Sequence, residues 1–315
     1  MSTKRTAQTR GMGNRVLARA LTLTLLVVFF AVSAIAQSEI VLKNSFIRKY
    51  MDRVTMDISF VVDHAHKRPN TAKKDGDLHI AGRSKEVGLP MVVEIMNAKS
   101  EKPAMDLVHD IEGTDKAVSM KGVWRIWCEH PGSEDHVQGQ KVAKPEDTNP
   151  DHVFEIHPVT LLDTINLLRS LTLIEGYDPY SSDVFEKFEK KECEIVPAKS
   201  TTTIRTKKMF YNYVQFKVEL SNREQKVVDD GRFVYVDILD SHGEPYIENI
   251  RAVFVKGSEP ENVAKGLGPG DTMHILAIPR INLSEVWSRV KKAKSKPEML
   301  KETLPYEMIV VGIYK

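Results

Sequence analysis

Apolar and polar residues alternate along short stretches of this chain, and that period limits its fold more than any other feature. Val54, Met56, Ile58 and Phe60 fall on one parity, as do Val214, Phe216, Val218 and Leu220. Successive side chains of a strand point to opposite faces, so these stretches read as half-buried β-strands. In the first half, strands are expected over 51–62, 77–82, 91–96, 117–128 and 153–161. In the second half they are expected over 213–220, 232–240, 247–256, 272–281 and 306–314. Leu107, Val108 and Ile111 cluster at helical spacing between the third and fourth strands of the first set, and Gly113 would end that helix. A helix over 260–267 takes the same place in the second set. Further helices are expected over 161–173 and 184–191, and another, capped by Ser284, running to 294. Five strands with a helix between the third and fourth is the order of an OB-fold.

The expected fold is therefore mainly β with short helices: two OB-like five-stranded barrels in tandem. Residues 37–175 would form the first barrel and 203–315 the second. Residues 176–202 would be a linker carrying a short helix.

Residues 1–36 read as a secretory signal. Lys4, Arg5, Arg10, Arg15 and Arg19 precede an apolar run from Ala20 to Phe30, and Ala34-Ile35-Ala36 fits a cleavage site. The expected location is exported, either periplasmic or secreted, with no stable membrane insertion once the signal is removed. Retention of the segment as an anchor is the alternative, although the run is short for a span. The whole chain carries a net charge of +2, and the five basic residues of the signal turn the remainder to −3. That excess of acid lies before residue 200, where the net charge is −6, against +3 beyond it. Nucleic-acid binders carry a concentrated basic footprint, so the charge by halves disfavours nucleic acid. Cys128 and Cys193 carry no redox or metal motif; in an exported chain they are either a disulfide or two buried thiols.

Two short stretches concentrate the chemistry. Asp75-Gly76-Asp77-Leu78-His79 opens the second expected strand, and Glu155-Ile156-His157-Pro158 lies in the fifth. Alternation places Asp77 with His79, and Glu155 with His157. Glu94 stands on the third strand. If the strands share a sheet with these faces aligned, then Asp77, His79, Glu94, Glu155 and His157 form a candidate metal set. Imidazole and carboxylate together suit a divalent transition metal. The alternative is a solvated polar sheet face. None of the spacings is the helical HExxH of a zinc hydrolase. Trp124, Arg125 and Trp127 are candidates for ligand binding, since an aromatic on a barrel face can stack on bases or sugars; packing is the alternative.

The Asp-Gly-Asp-x-His stretch at 75–79 and the Glu-x-His-Pro-Val stretch at 155–159, with Met91-Val92-Val93-Glu94-Ile95, resemble a group of exported, mostly uncharacterised bacterial OB-fold-like proteins. The resemblance covers about residues 50–165 and implies an OB-like barrel without an assigned activity. The second half is similar to OB-type barrels in general. Asp-Gly-Asp also occurs in the staphylococcal-nuclease branch, but there Thr follows, whereas Leu78 and His79 follow here.

Two functions are consistent with this reading. One is a cell-envelope binding protein that recognises glycan or protein on the first barrel without catalysis. The other is a metal-dependent hydrolase, nuclease- or phosphoesterase-like, using the Asp/His/Glu set.

Overall fold

The computed structural model describes residues 37–293 and 301–315; the expected signal lies outside the described residues. Ser38–Lys315 form one compact unit. Strand β1 (Ser38–Lys43) leads into helix α1 (Asn44–Tyr50). Then come β2 (Thr55–Ala65), β3 (Leu78–Arg83), β4 (Met91–Ile95), α2 (Lys102–Ile111) and β5 (Ala117–His130). The short β6 (His136–Val137) precedes β7 (His152–Leu162) and β8 (Ile165–Asn166). Helix α3 (Phe185–Glu189), β9 (Glu192–Pro197) and β10 (Thr201–Thr206) occupy the middle of the chain. The remainder is β11 (Val214–Leu220), β12 (Lys226–Val228), β13 (Gly231–Leu239), β14 (Pro245–Val255), α4 (Glu259–Ala264), β15 (Thr272–Ile281), α5 (Leu283–Ala293), β16 (Lys301–Thr303) and β17 (Tyr306–Tyr314).

The first barrel is present. Its strands run β4-β3-β2-β5-β7, and parallel pairing of β4 with β7 closes the ring. The expected parity holds on β2, where Met56, Ile58, Phe60 and Val62 are buried. They pack with Leu78, Ile80, Val93, Ile95, Trp124, Ile126, Phe154 and Ile156 in the main core. Helix α2 falls between the third and fourth barrel strands, as expected, and begins with Pro103 in its first turn, where the missing N–H costs nothing.

The rest departs from two five-stranded barrels in tandem, and that expectation is corrected. The second half contributes a six-stranded sheet, ordered β11-β15-β17-β14-β13-β12, with β11 also meeting β13 over 218–220. A third sheet, ordered β16-β9-β10-β1-β6, has no place in a tandem pair. It draws β1 and β6 from the first half, β9 and part of β10 from the expected linker, and β16 from the second half. The 161–173 segment is not one helix; it holds β8 and a single 3₁₀ turn at Leu168–Ser170. Asn282, not Ser284, caps α5, its side chain accepting from the Glu285 N–H at 3.0 Å.

The two six-stranded sheets meet through a second apolar cluster. Val54, Met96 and Val123 from the barrel side face Phe233, Val253, Leu276, Ile278 and Ile309. Arg280 on β15 crosses this boundary. Its guanidinium donates to the Trp124 carbonyl at 2.9 Å and to Glu307 at 2.6 Å, and lies over the Trp124 ring. A fully buried cation is tolerated there because it is paired with Glu307 and each of its three nitrogens donates at least one hydrogen bond.

Candidate metal centre

Strand alternation builds the site. Trp124, Ile126, Phe154 and Ile156 point into the barrel core, so Arg125, Glu155 and His157 take the outer face. Register then sets the neighbours. Arg125 is opposite Glu155 on β5 and β7, and His79 is opposite Glu94 on β3 and β4. The strands of His79 and His157 have β4 between them, and Glu94 of β4 lies near both imidazoles. Asp77 sits just before β3, where Gly76 takes φ +74° and Asp75 accepts from the Asp77 N–H at 3.1 Å.

Asp77, Glu94 and His157 form a buried cluster whose ligand atoms all lie within 4.8 Å of one another, a geometry that suits a divalent metal. The two nitrogens of His157 have different neighbours. On the Nε2 side, Tyr213 reaches in from the second half. Its hydroxyl donates to Asp77 Oδ2 at 2.5 Å and lies 2.9 Å from His157 Nε2. With its proton given to Asp77, the Tyr213 oxygen accepts, so the network assigns the imidazole proton to Nε2. In the neutral ring, the form that binds a metal, that leaves Nδ1 as a lone pair. It faces Glu94 Oε2 at 3.5 Å and Glu155 Oε2 at 3.6 Å. His79 Nε2 stands 3.4 Å from the same Glu94 oxygen.

These separations are long for a hydrogen bond. They match the edge of a ligand tetrahedron around an ion held at roughly 2.0–2.1 Å, about 3.3 Å. His157 Nδ1 and Glu94 Oε2 are both buried and both lack a hydrogen-bond partner. Buried polar atoms without partners are rare, and a metal ligand is one explanation for them.

The charges agree with this arrangement. Burial raises the pKa of Asp77 and of Glu94 above the ordinary carboxylate range, since ionised oxygens are poorly solvated there. Burial would do the same to Glu155, but Arg125, 2.5 Å away, with His152 and His157, holds it well below that range. For His157, burial favours the neutral ring and is outweighed by Glu94 and Asp77, which push its value well above normal. Three carboxylates thus share one fixed cation and a proton-hungry imidazole, a set that a divalent ion would neutralise.

A cavity of about 250 Å³ opens onto this face, reaching His79, Glu94 and Glu155, with Tyr177, Tyr180 and Phe210 on its walls. Glu94 and Glu155, the two carboxylates that His157 Nδ1 faces, thus border the cavity, while Asp77 and His157 lie buried behind them.

The expected ligand-binding residues are placed differently from the expected metal set. Trp124 and Trp127 are buried, their indole N–H groups donating to the carbonyls of Arg53 at 2.8 Å and Phe210 at 3.1 Å. Arg125 is buried as well, and orients Glu155 while donating to the Pro279 carbonyl at 2.9 Å. Sequence reading missed Tyr213. It lies in the aromatic run Phe210-Tyr211-Asn212-Tyr213, whose density of tyrosines was the available signal.

No family model matches the chain, and no curated protein matches it. One solved structure, described as "Structural mimicry for functional antagonism", aligns over 73% of this chain and 84% of its own at 12% identity, with a TM-score of 0.17. A likeness that low carries no argument about fold or function.

Proposed function

We propose that this protein is a metal-dependent hydrolase whose divalent ion sits on the Nδ1 side of His157. The observation that carries this reading is the pair of buried, unpartnered atoms His157 Nδ1 and Glu94 Oε2, 3.5 Å apart and next to an open cavity. Glu94, His157 and His79 are the proposed ligands. Asp77 and Tyr213 act behind them by fixing the imidazole tautomer, the role that outer-shell partners of metal-bound histidines take. An ion with three protein ligands and one open position polarises a phosphoryl or carbonyl oxygen and acidifies bound water. Glu155, held ionised by Arg125 at the cavity wall, would orient such a water by accepting a hydrogen bond from it.

Binding without catalysis is the competing reading. It drew on Trp124 and Trp127 as stacking surfaces, and burial of both rings removes that support.

The test is metal content of protein purified without chelator, together with turnover of an activated phosphodiester such as bis-p-nitrophenyl phosphate. A near-stoichiometric transition metal is expected. His157→Gln and Glu94→Gln should each lose it, and turnover with it, while circular dichroism stays native. Protein that folds normally yet takes up no zinc, manganese or iron at micromolar concentrations would overturn the proposal.

A further inference from the structure

The acidic centre borders a strongly basic groove. Phe210 and Tyr211, on the wall of the metal-site cavity, also line an adjoining groove of about 570 Å³. The other side of that groove carries Lys187, Lys190 and Lys191 from α3 and the turn after it. Lys207 and Lys208 stand opposite, just beyond β10. Five lysines converge here because the third sheet folds the segment after α3 against the segment after β10.

Glu186, paired with Lys190 at 3.1 Å, and Glu192 on the groove wall offset part of this charge and leave the groove net positive, while Glu189 accepts from the Tyr306 hydroxyl at 2.7 Å. The Lys191 ammonium donates to a backbone carbonyl, that of Lys208, at 3.3 Å. Burial and then the neighbouring charge of Lys207 lower its pKa. Repulsion of this kind is relieved by a bound anion.

Aromatic rings are interleaved with the lysines. Phe210 is 54% exposed and Tyr180 47%, among the few large apolar side chains left open to solvent in the described residues. Lys208 lies over the Phe210 ring at 5.0 Å and Lys187 over Tyr211 at 4.8 Å. Tyr180 meets Tyr211 edge-on at 5.0 Å between ring centres, so the two rings form a continuous wall from the basic groove to the metal-site cavity. Ammonium groups alternating with open rings match a chain that alternates phosphates with flat bases.

We infer that this groove binds single-stranded nucleic acid and leads a phosphodiester to the Glu94–His157 centre. The inference rests on the hydrolase reading and supplies its substrate class. Lysines take the phosphates, and Phe210 and Tyr180 stack on bases. The carboxylates at the far end would repel the same backbone without an ion between them, so engagement of that end depends on the metal. The acid excess of the first half hid this patch, because a net charge averages over a surface that the fold divides.

The experiment uses the full chain and a fluorescent oligothymidylate of about fifteen nucleotides, with anisotropy read in EDTA across a salt series. Wild-type protein should bind without metal, weakening with salt at a log–log slope of about −0.7 for each phosphate contacted. The Lys207→Glu/Lys208→Glu variant should flatten that slope and lose roughly ten-fold or more in affinity. Phe210→Ala should lose about ten-fold, as removal of a stacking ring does. No binding in EDTA at low salt would overturn the inference. So would binding unmoved by both variants, or a heparin fragment that binds as well as the oligonucleotide and ignores Phe210→Ala. The two readings fail separately: oligonucleotide binding by a protein that takes up no metal sinks the hydrolase, whereas metal uptake and turnover of a small diester without oligonucleotide binding sinks only the substrate class.

Discussion

Tyr213 joins the two halves of the site with a single hydroxyl, which donates to Asp77 and lies beside His157 Nε2. Tyr213→Phe removes that oxygen but keeps the ring. Two buried polar groups then lose a partner, and we expect stability to fall by about 1–3 kcal/mol in urea denaturation. Metal affinity should fall about 10–100-fold, the usual cost of an outer-shell partner. A variant with unchanged affinity would show that the tautomer of His157 is set elsewhere. Asp77, His79, Glu94, Glu155 and His157 were legible in sequence because alternate positions on a strand share a face whatever the fold. Tyr213 was not, because its contact with His157 spans 56 positions and depends on how two sheets meet. Cys128 and Cys193 are buried free thiols, each pushed up to about 12 by burial. A folded value raised above the ordinary one near 9 means that this contribution to stability is complete below pH 9 and lost as pH rises toward 12. Both thiols should therefore ignore a disulfide reagent at pH 8 until denaturant is added. Reaction with native protein would contradict their burial.

Among the elements, β7 carries Glu155 and His157 and β5 carries Arg125, and Gly122 lets these two strands approach. A Cβ at Gly122 would overlap the Ile156 side chain and the Pro158 carbonyl oxygen, within the stretch that carries Glu155 and His157. The pairing of β5 with β7 shifts register on both sides of Gly122, so the strand is already bent there. Gly122→Ala should cost roughly 1–3 kcal/mol, as overpacking does, and should weaken metal binding by displacing β7. Ala at Gly113, where the space is open but φ is +70°, is a control for backbone strain alone. It should lower stability without touching metal affinity; equal loss of metal in both variants would remove the argument. Strand β2 was readable because it buries one face, whereas β4 and β7, buried on both, were readable as short apolar runs. By contrast, β9 and the start of β10 fall in the expected linker, because Pro197 and the run Ser200-Thr201-Thr202-Thr203 have the composition of a connector. What makes them strands is pairing with β1 and β16, remote segments that no local pattern names.

At the scale of the whole molecule, the sheets are joined by buried charge as well as by apolar surface. Glu307 on β17 accepts from Arg280 and from Arg251, and Arg251 also donates to the Met51 carbonyl at 3.1 Å. Arg280 reaches the Trp124 carbonyl on the barrel, and Asp230 accepts from the Val54 and Thr55 N–H groups at 3.1 and 2.8 Å. The bonds to Met51, Trp124, Val54 and Thr55 run from the second six-stranded sheet to the barrel or to the loop that enters it, whereas Glu307 holds its two arginines within that sheet and so aims them across. Breaking a buried ion pair costs about 3–5 kcal/mol. Glu307→Ala leaves two arginines facing an apolar boundary, so it should destabilise by that amount and should destabilise both sheets together. The intact chain should accordingly unfold in one transition, with tryptophan fluorescence of a Trp287→Phe variant, which reports Trp124 and Trp127 in the barrel, coinciding with far-ultraviolet circular dichroism, which reports every sheet. Two resolved transitions, with Glu307→Ala moving only the one that lacks the fluorescence change, would mean that barrel and second sheet fold independently and that the centre does not need Tyr213 to form.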